Sequence, residues 1–216
     1  QLVATESADG TMAALVAHDW GGAFAWGYAN AFPQQIRKLV IINSPHPGTF
    51  TRELRNNPAQ QQASAYMNFL ARPDAEALLA ADDFKRMWPF FTLMKAGPDG
   101  FGWLTEEVKQ KYRQVWGAGL TGACNLYRVT PMKPPLPGHT IDGIPVLPRE
   151  RLTVEVPTFV FWALDDAALL PGLLEGLEDY VPKLEVKKVP NATHWIVHEQ
   201  PQLVAREIEG FLQRAQ

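Results

Sequence analysis

The sequence predicts an α/β fold in which a mostly parallel sheet is flanked by helices and carries an inserted helical cap. Two continuous apolar runs near the start, separated by a Gly/Ala-rich segment, indicate one strand–helix–strand unit. A long middle region then lacks strand-like runs, and two further strand-like segments follow it. We therefore expect one sheet with an insertion between its strands.

The first strand–helix–strand unit is predicted from three segments. Ala13 to Ala17 is a short apolar strand, Gly21 to Phe32 is a helix that Pro33 stops, and Lys38 to Asn43 is a second apolar strand. Their crossover should be right-handed, as it is for nearly all parallel strands. Residues 1–10 are polar and fit the tail of a preceding helix.

The region 49–151 is predicted to be the helical cap, because short helical segments punctuated by prolines replace strands there. The predicted cap helices are Pro58 to Ala71, Pro73 to Ala81 and Thr105 to Gly117. Proline at a first helical position and threonine before a helix are both start signals. The region from 131 to 148 has no period and indicates a loop back to the core.

Strand signals return after the cap, at Val156 to Trp162 and Leu184 to Val189, with helices expected at Pro171 to Tyr180 and Pro201 to Arg214. The core is therefore assigned to residues 1–48 and 152–216. Polar residues that follow parallel strands share one edge of the sheet, which is where such sheets bind ligands.

Composition and charge limit the partners of this chain. A formal net charge of −3, without a long basic run, argues against a nucleic-acid partner and favours a small uncharged substrate. The single cysteine, Cys124, forms no internal disulfide, which predicts a reducing, cytoplasmic location. No apolar run reaches the roughly 18 residues needed to cross a bilayer, so no membrane span is expected.

A sharp turn is predicted at Ala17-His18-Asp19-Trp20-Gly21-Gly22, with Asp19 at its apex. Small residues on both sides allow the strand and the helix to approach closely, as in a nucleophile elbow, although the stretch alone also fits an ordinary turn. A carboxylate that attacks carbon forms an ester, which suits displacement at an epoxide or a carbon–halogen bond.

The Asp19 turn and three further motifs resemble those of the epoxide hydrolases of the α/β-hydrolase fold. The resemblance covers essentially the whole sequence. Asn43-Ser-Pro-His-Pro47 is similar to the segment after the second strand, and Thr193-His194-Trp195 to the histidine loop. The stretch from Trp162 to Leu169 resembles the acid loop and identifies the acid as Asp166, with Asp165 as the fallback.

Two cap tyrosines match the same family. Tyr66 lies in Ser64-Ala-Tyr-Met-Asn-Phe-Leu-Ala-Arg-Pro73 and Tyr127 in Asn125-Leu-Tyr-Arg128, which resemble the segments of the two ring-opening tyrosines. A phenol of pKa ~10 can donate a proton to an epoxide oxygen at neutral pH, whereas a halide leaves without one. The pair therefore favours an epoxide hydrolase over a haloalkane dehalogenase.

The resemblance implies a two-step reaction that uses water and neither a metal nor an organic cofactor. Asp19 forms an ester with a small apolar epoxide, and His194, oriented by Asp166, activates the water that hydrolyses it. The Trp20 N–H is expected to stabilise the oxyanion, and His46 to line the pocket. A metal site at His194 and His198 is less favoured, since prolines bracket the segment.

The sequence departs from the family pattern ahead of Asp19. The family has four strands, a helix and a His-Gly-x-Pro loop there, and this loop supplies a second oxyanion donor. We therefore expect either a piece of a longer protein or a truncated relative that binds a ligand without catalysis. In both cases the first strand would present an unpaired edge, which predicts association through that edge or a homo-oligomer.

Overall fold

A sheet of four parallel strands forms the centre of the computed structural model, which describes residues 10–136, 138–139 and 141–214. The strands are β1 (Leu15–His18), β2 (Leu39–Ile42), β3 (Thr158–Ala163) and β4 (Leu184–Val189), and they lie side by side in chain order. Every neighbouring pair is parallel, so the predicted fold class is confirmed. The helix tail predicted within residues 1–10 falls almost entirely outside the described residues.

The two central strands are buried at every residue, which explains their continuous apolar sequences. At the edge, β1 is only partly covered, and Val16 is 46% exposed. His18 of β1 pairs with Ile42, and Ile42 pairs with Phe161. This register brings the carboxyl ends of β1, β2 and β3 together, and the candidate site lies at that edge.

Two helices cover the two faces of the sheet. The helix α1 (Trp20–Ala31) packs on one face in a cluster with Ile41 and Trp162. On the other face, a cluster that includes Ile42 packs against the C-terminal helix, Pro201–Gln213. Neighbouring residues of β2 thus point to opposite faces, as strand geometry requires.

Seven helices lie between β2 and β3 in the described part of the chain. They are α2 (Pro47–Asn56), α3 (Pro58–Ala63), α4 (Tyr66–Leu70), α5 (Ala75–Phe84), α6 (Pro89–Thr92), α7 (Glu106–Gly117) and α8 (Thr121–Val129). Leu79, Phe91 and Trp116 belong to an apolar cluster of their own, apart from the sheet. In contrast, α2 packs Leu54 into the sheet cluster and crosses the predicted boundary after residue 48.

The predicted helix from Pro171 to Tyr180 is wrong. The segment forms two short 3₁₀ turns, Pro171–Leu174 and Leu177–Asp179, separated by Gly176 in the left-handed conformation (φ 67°). The Arg52 guanidinium donates to the carbonyls of Gly172 and Glu175. Because a side chain that is distant in sequence forms hydrogen bonds to these carbonyls, a regular helix does not form.

The cap helices also differ from the predicted ones. The predicted helix from Pro58 to Ala71 is divided into α3 and α4 at Ser64, whose hydroxyl accepts a hydrogen bond from the Gln60 side chain (2.9 Å). Three cap helices, α2, α6 and α8, were not predicted. The helices α2 and α8 contain glycine and β-branched residues, which weaken the helical signal, and α6 has only four residues, so packing rather than local propensity stabilises them.

After β4 come a short helix, α9 (Ile196–Glu199), and the C-terminal helix, α10 (Pro201–Gln213). The loop between β4 and α9 carries His194. This loop lies at the same edge of the sheet as the turn between β1 and α1.

Candidate active site

Asp19 occupies the turn between β1 and α1 in the left-handed region of backbone space, with φ 51°. Such a conformation is strained for a residue with a side chain and persists only where neighbours fix it. The Ser44 hydroxyl donates to the Asp19 carbonyl (2.7 Å). A Cβ at Gly22 would lie 2.3 Å from the Ser44 Cβ, so glycine is required for α1 to approach the end of β2.

His194 lies between two carboxylates that are distant in sequence. Its Nε2 is 3.2 Å from Asp19 Oδ1, and its Nδ1 is 2.8 Å from Asp166 Oδ2. The Asp166 side chain is completely buried, whereas that of Asp19 is 41% exposed. The structure therefore brings together three residues that the sequence analysis selected as candidates, with Asp19 on the accessible side.

The charges of this trio influence one another. Burial lowers the pKa of His194, but Asp166 and Asp19 outweigh it and raise that pKa to about 10. Burial acts to raise the pKa of Asp19, but hydrogen bonds from His194 and from the Trp20 backbone N–H leave it lowered overall. At neutral pH, an imidazolium is therefore held between two carboxylates.

The Asp166 carboxylate is held by backbone and side-chain donors. Its Oδ1 accepts from the N–H groups of Ala168 (2.8 Å) and Leu169 (3.0 Å), and its Oδ2 accepts from Asn43 Nδ2 (2.9 Å). These bonds aim Oδ2 at His194. Asp165, the fallback acid, is exposed, so the geometry favours Asp166 over it.

Sequence reasoning assigned no role to Asn43, which is fully buried at the end of β2 with φ 38°. Its Oδ1 accepts from the Ala163 N–H (2.9 Å), while its Nδ2 donates to Asp166. The amide thus joins the ends of β2 and β3 to the acid. The sequence signal that could have identified Asn43 is its position as a polar residue directly after an apolar run.

Glu199 directly follows His198 in the sequence, and the structure places it against the histidine loop. It accepts from the Thr193 N–H (2.8 Å) and from the Thr193 hydroxyl. Burial raises the pKa of Glu199. Glu199 therefore fixes the backbone immediately before His194.

Tyr66 begins α4, and Tyr127 lies on α8, with ring centroids 6.0 Å apart. The Tyr127 ring also packs edge-on against the Trp20 ring, with centroids 5.1 Å apart. Burial raises the pKa of Tyr66 well above its usual value, and burial together with Asp19 raises that of Tyr127 to about 12. Both phenols therefore remain protonated at neutral pH.

Two cavities meet at Asp19, Tyr66 and Tyr127, which line both. The larger cavity has a volume of about 680 Å³ and the smaller one about 150 Å³. The larger is lined mainly by apolar and aromatic side chains, among them Leu79, Phe90, Phe91, Trp116 and Leu120. The smaller is lined by Phe50, Met67, Met132 and Leu169, among others. An apolar molecule can thus reach the carboxylate and both phenols at once.

The prediction that His46 lines the pocket is wrong. His46 is 1% exposed and is absent from the lining of both cavities. One ring nitrogen is bonded to the Leu152 carbonyl (2.9 Å), and the other accepts from the Gly48 N–H (3.2 Å) at the start of α2. Burial lowers the pKa of His46 to about 4, so it is a neutral helix cap.

Within the described ranges, no group of three His, Cys, Asp or Glu side chains is arranged to hold a metal ion. His198 stacks on Trp103, with centroids 4.4 Å apart, instead of joining His194. In the same part of the chain, no helix is both long enough and apolar enough to span a bilayer.

Comparison with known proteins agrees with the fold. The α/β hydrolase fold family matches residues 7–201. Human epoxide hydrolase 4 is 32% identical over 203 residues, which make up 92% of this chain and 52% of that relative. The chain thus spans about half the length of the curated relatives it matches.

Two solved structures are also similar. A Bacillus megaterium epoxide hydrolase in complex with an inhibitor superimposes with a TM-score of 0.80 at 30% identity, covering 95% of this chain and 70% of that one. A structure reported among novel epoxide hydrolases from metagenomes of hot environments gives a TM-score of 0.72 at 31% identity, covering 95% and 69% of the two chains.

Proposed function

The chain belongs to the α/β-hydrolase fold family and is related within it to epoxide hydrolases, and from this premise we propose that it opens epoxides to vicinal diols. One observation carries the proposal: His194 lies between Asp19 and Asp166, while Tyr66 and Tyr127 share the cavity lining with Asp19. This arrangement offers a nucleophile, a base with its acid, and two proton donors around one apolar space.

In the first step, an Asp19 carboxylate oxygen bonds to an epoxide carbon and the ring C–O bond breaks. The developing alkoxide takes a proton from one of the two phenols, Tyr66 or Tyr127. Because the pKa of both is raised, they hold their protons until the alkoxide forms.

In the second step, His194 takes a proton from water as the water oxygen attacks the ester carbonyl of Asp19. The backbone N–H of Trp20, the residue that follows Asp19 in the turn, stabilises the oxyanion. Collapse breaks the bond to the diol oxygen and restores the carboxylate. The two protons of the water end on the new diol hydroxyl and on the tyrosine.

Ester formation also prepares His194 for this role. In the resting chain, Asp19 helps to hold the imidazole protonated. Esterification removes that negative charge, so the pKa of His194 falls, its proton passes to solvent, and the neutral imidazole becomes available as the base. His194 regains a proton from solvent once the Asp19 carboxylate is restored.

Haloalkane dehalogenation is the nearest alternative, since it would use the same Asp19 and Trp20. The paired tyrosines favour epoxide opening, because a halide requires no proton. A ligand-binding role without catalysis is the other alternative, and it predicts binding in the cavity without turnover.

The remaining predictions about the whole protein are proposals of the same kind. We propose that residues 49–151 act as the cap over a core formed by residues 1–48 and 152–216. A cytoplasmic location, and association through the partly exposed β1 edge, stay predictions.

Intact-mass spectrometry of the chain incubated with styrene oxide tests the mechanism. His194→Gln should accumulate an adduct of one substrate mass, and the double variant with Asp19→Ala should not. Asp165→Asn, a change in the exposed neighbour of the acid, is the control and should retain turnover. Turnover by Asp19→Ala, or an adduct on the double variant, would contradict the proposal.

A further inference from the structure

We propose that Gln60 is a positioning residue that fixes the acid loop and, through it, the Asp166 carboxylate that orients His194. Gln60 lies on α3, in the region inserted between β2 and β3, whereas Asp166 follows β3. The inference rests on the proposed function, because it adds a residue to the machinery of the same site. It is carried by a buried side-chain amide that holds the backbone of the acid loop at two points.

The Gln60 side chain is fully buried, and both hydrogens of its amide have acceptors. Its Nε2 donates to the Ala168 carbonyl (2.8 Å) and to the Ser64 hydroxyl (2.9 Å), and its Oε1 accepts from the Leu170 N–H (3.0 Å). Ala168 and Leu170 lie 108 and 110 residues further along the chain. The amide thus holds the backbone on both sides of Leu169, at the end of the acid loop.

The bond to Ala168 acts on Asp166 through a single peptide group. The Ala168 carbonyl and the Leu169 N–H belong to one rigid plane, in which they point in opposite directions. Gln60 holds the carbonyl, and the N–H donates to Asp166 Oδ1 (3.0 Å). A hydrogen bond to the carbonyl also polarises the peptide group and strengthens its N–H as a donor. Rotation of this plane would therefore break both bonds together.

The orientation of Oδ1 determines where the other carboxylate oxygen points. While the N–H groups of Ala168 and Leu169 hold Oδ1, Oδ2 lies 2.8 Å from His194 Nδ1. A carboxylate that lost these two donors could turn and carry Oδ2 away from the imidazole. Because small displacements of a catalytic group reduce rates strongly, the loss should slow the attack of water on the ester.

Gln60 lines neither cavity, so it acts on the reaction through the residues that it holds. On its other side, the Ser64 hydroxyl accepts from Gln60, and the Ser64 carbonyl accepts from the Met67 N–H (3.0 Å) in the first turn of α4. Tyr66 begins α4. The same amide therefore links the acid loop to the helix of a proposed proton donor.

The kinetic test uses Gln60→Met, which keeps the length of the side chain and removes its hydrogen bonds. We expect kcat for styrene oxide to fall about tenfold, with KM changed by less than about twofold, because the change affects the orientation of Asp166 and not the cavity. Gln61→Met is the matched control on the same helix, since the Gln61 amide donates to the Leu54 carbonyl (2.9 Å) of α2 instead. It should leave kcat within about twofold of the unaltered chain.

Proton NMR of the resting chain gives a second readout that needs no turnover. The Nδ1–H of His194, bonded to a carboxylate at 2.8 Å, should resonate far downfield of the amide protons, and His194→Gln should remove that resonance. Gln60→Met should shift the resonance upfield or broaden it, whereas Gln61→Met should leave it in place. A merely structural role for Gln60 would lower Tm without moving this resonance.

Ser64→Ala is a milder variant that keeps the proposal testable if Gln60→Met does not fold. It removes one acceptor of the Gln60 amide and leaves the two bonds to the acid loop, so the amide is less firmly anchored. We expect kcat to fall about threefold and the His194 resonance to move in the same direction, by less. An unfolded Gln60→Met together with an unchanged kcat and resonance in Ser64→Ala would overturn the proposal.

The two readouts separate the positioning role from the proposed function. A resonance that moves in Gln60→Met and not in Gln61→Met would support the role of Gln60 even if no epoxide were hydrolysed. Equal kcat for styrene oxide in these two variants, or an unchanged resonance in a folded Gln60→Met, would overturn that role and leave the proposed function standing.

Discussion

The Asn43 amide shares an acceptor atom with the imidazole of His194, since both bond to Asp166 Oδ2, at 2.9 Å and 2.8 Å. A carboxylate oxygen that accepts two bonds of this kind is fixed in direction. Asn43 is therefore a positioning residue for the proposed acid.

Asn43→Ala should lower kcat by about tenfold or more, because a hydrogen bond to a charged group contributes about 1.5–3 kcal/mol. Steady-state kinetics with styrene oxide measure this loss of kcat. Asn30→Ala is the control, since it removes a hydrogen bond from a side-chain amide to the Thr153 carbonyl (2.7 Å), away from the candidate site. Equal effects of the two variants on kcat would contradict a role for Asn43 in positioning Asp166.

The pKa of His194 predicts how stability depends on pH. Burial opposes the shift, but Asp166 and Asp19 raise the pKa from 6.5 to about 10 in the folded chain. The folded state then holds the proton more tightly than the unfolded state. This stabilisation is complete below pH 6.5 and is lost as the pH rises through about 10.

Urea unfolding across that pH window should show the difference between the chain and His194→Gln. The free energy of unfolding should decline more steeply with rising pH in the unaltered chain, because glutamine does not titrate. Parallel pH dependence in the two proteins would mean that His194 holds no extra proton in the folded state.

At the scale of elements, the close contact between α1 and the end of β2 positions the Asp19 turn. Gly22→Ala should destabilise the chain by about 1–3 kcal/mol, as overpacking does, and should reduce turnover, because the new Cβ meets Ser44. Gly27→Ala is the control in the same helix, since its Cβ would meet nothing within 4 Å. Thermal unfolding should therefore show a lower Tm for Gly22→Ala and an unchanged or higher one for Gly27→Ala. A similar Tm for both would be evidence against a tight helix–strand contact.

At the scale of the whole molecule, Trp195 joins the loop of His194 to the helices inserted between β2 and β3. Its indole N–H donates to the Phe90 carbonyl (3.0 Å), and its ring stacks on Phe91 at 4.5 Å with an interplanar angle of 16°. Both partners lie on α6. Movement of α6 would therefore disturb the residue next to His194.

Trp195→Leu should accelerate amide exchange in both α6 and residues 193–199, because it removes the hydrogen bond and the stack, together worth about 1–3 kcal/mol. Trp195→Phe retains a stacking ring and should give an intermediate rate. Tyr28→Leu, a change in a ring that packs on Phe32 (5.0 Å) away from α6, is the control and should leave residues 193–199 unaffected. Unchanged exchange in Trp195→Leu would show that the two segments are not coupled.

Much of the fold was predictable because the central strands are buried on both faces. Continuous apolar runs at β2 and β3 are their direct consequence. The edge strand β4 was also predicted with its observed bounds, Leu184–Val189, although most of its residues are exposed. The turn at Asp19 was predictable for a similar reason, since close approach of a strand and a helix demands small residues. The cap helices were harder, because short helices depend on packing more than on their own sequence.

Local sequence by itself determined the strands and the Asp19 turn, because these rest on the periodicity and the size of neighbouring side chains. The other candidate residues came from the resemblance of their motifs to those of the epoxide hydrolases. Only the tertiary structure decided which candidates meet. It brought Asn43 into contact with Asp166, which is 123 residues away in the chain, and it buried His46 as the cap at the start of α2. It also joined two cavities at Asp19. These features depend on distances between segments that are far apart in the chain, and no local pattern records such distances.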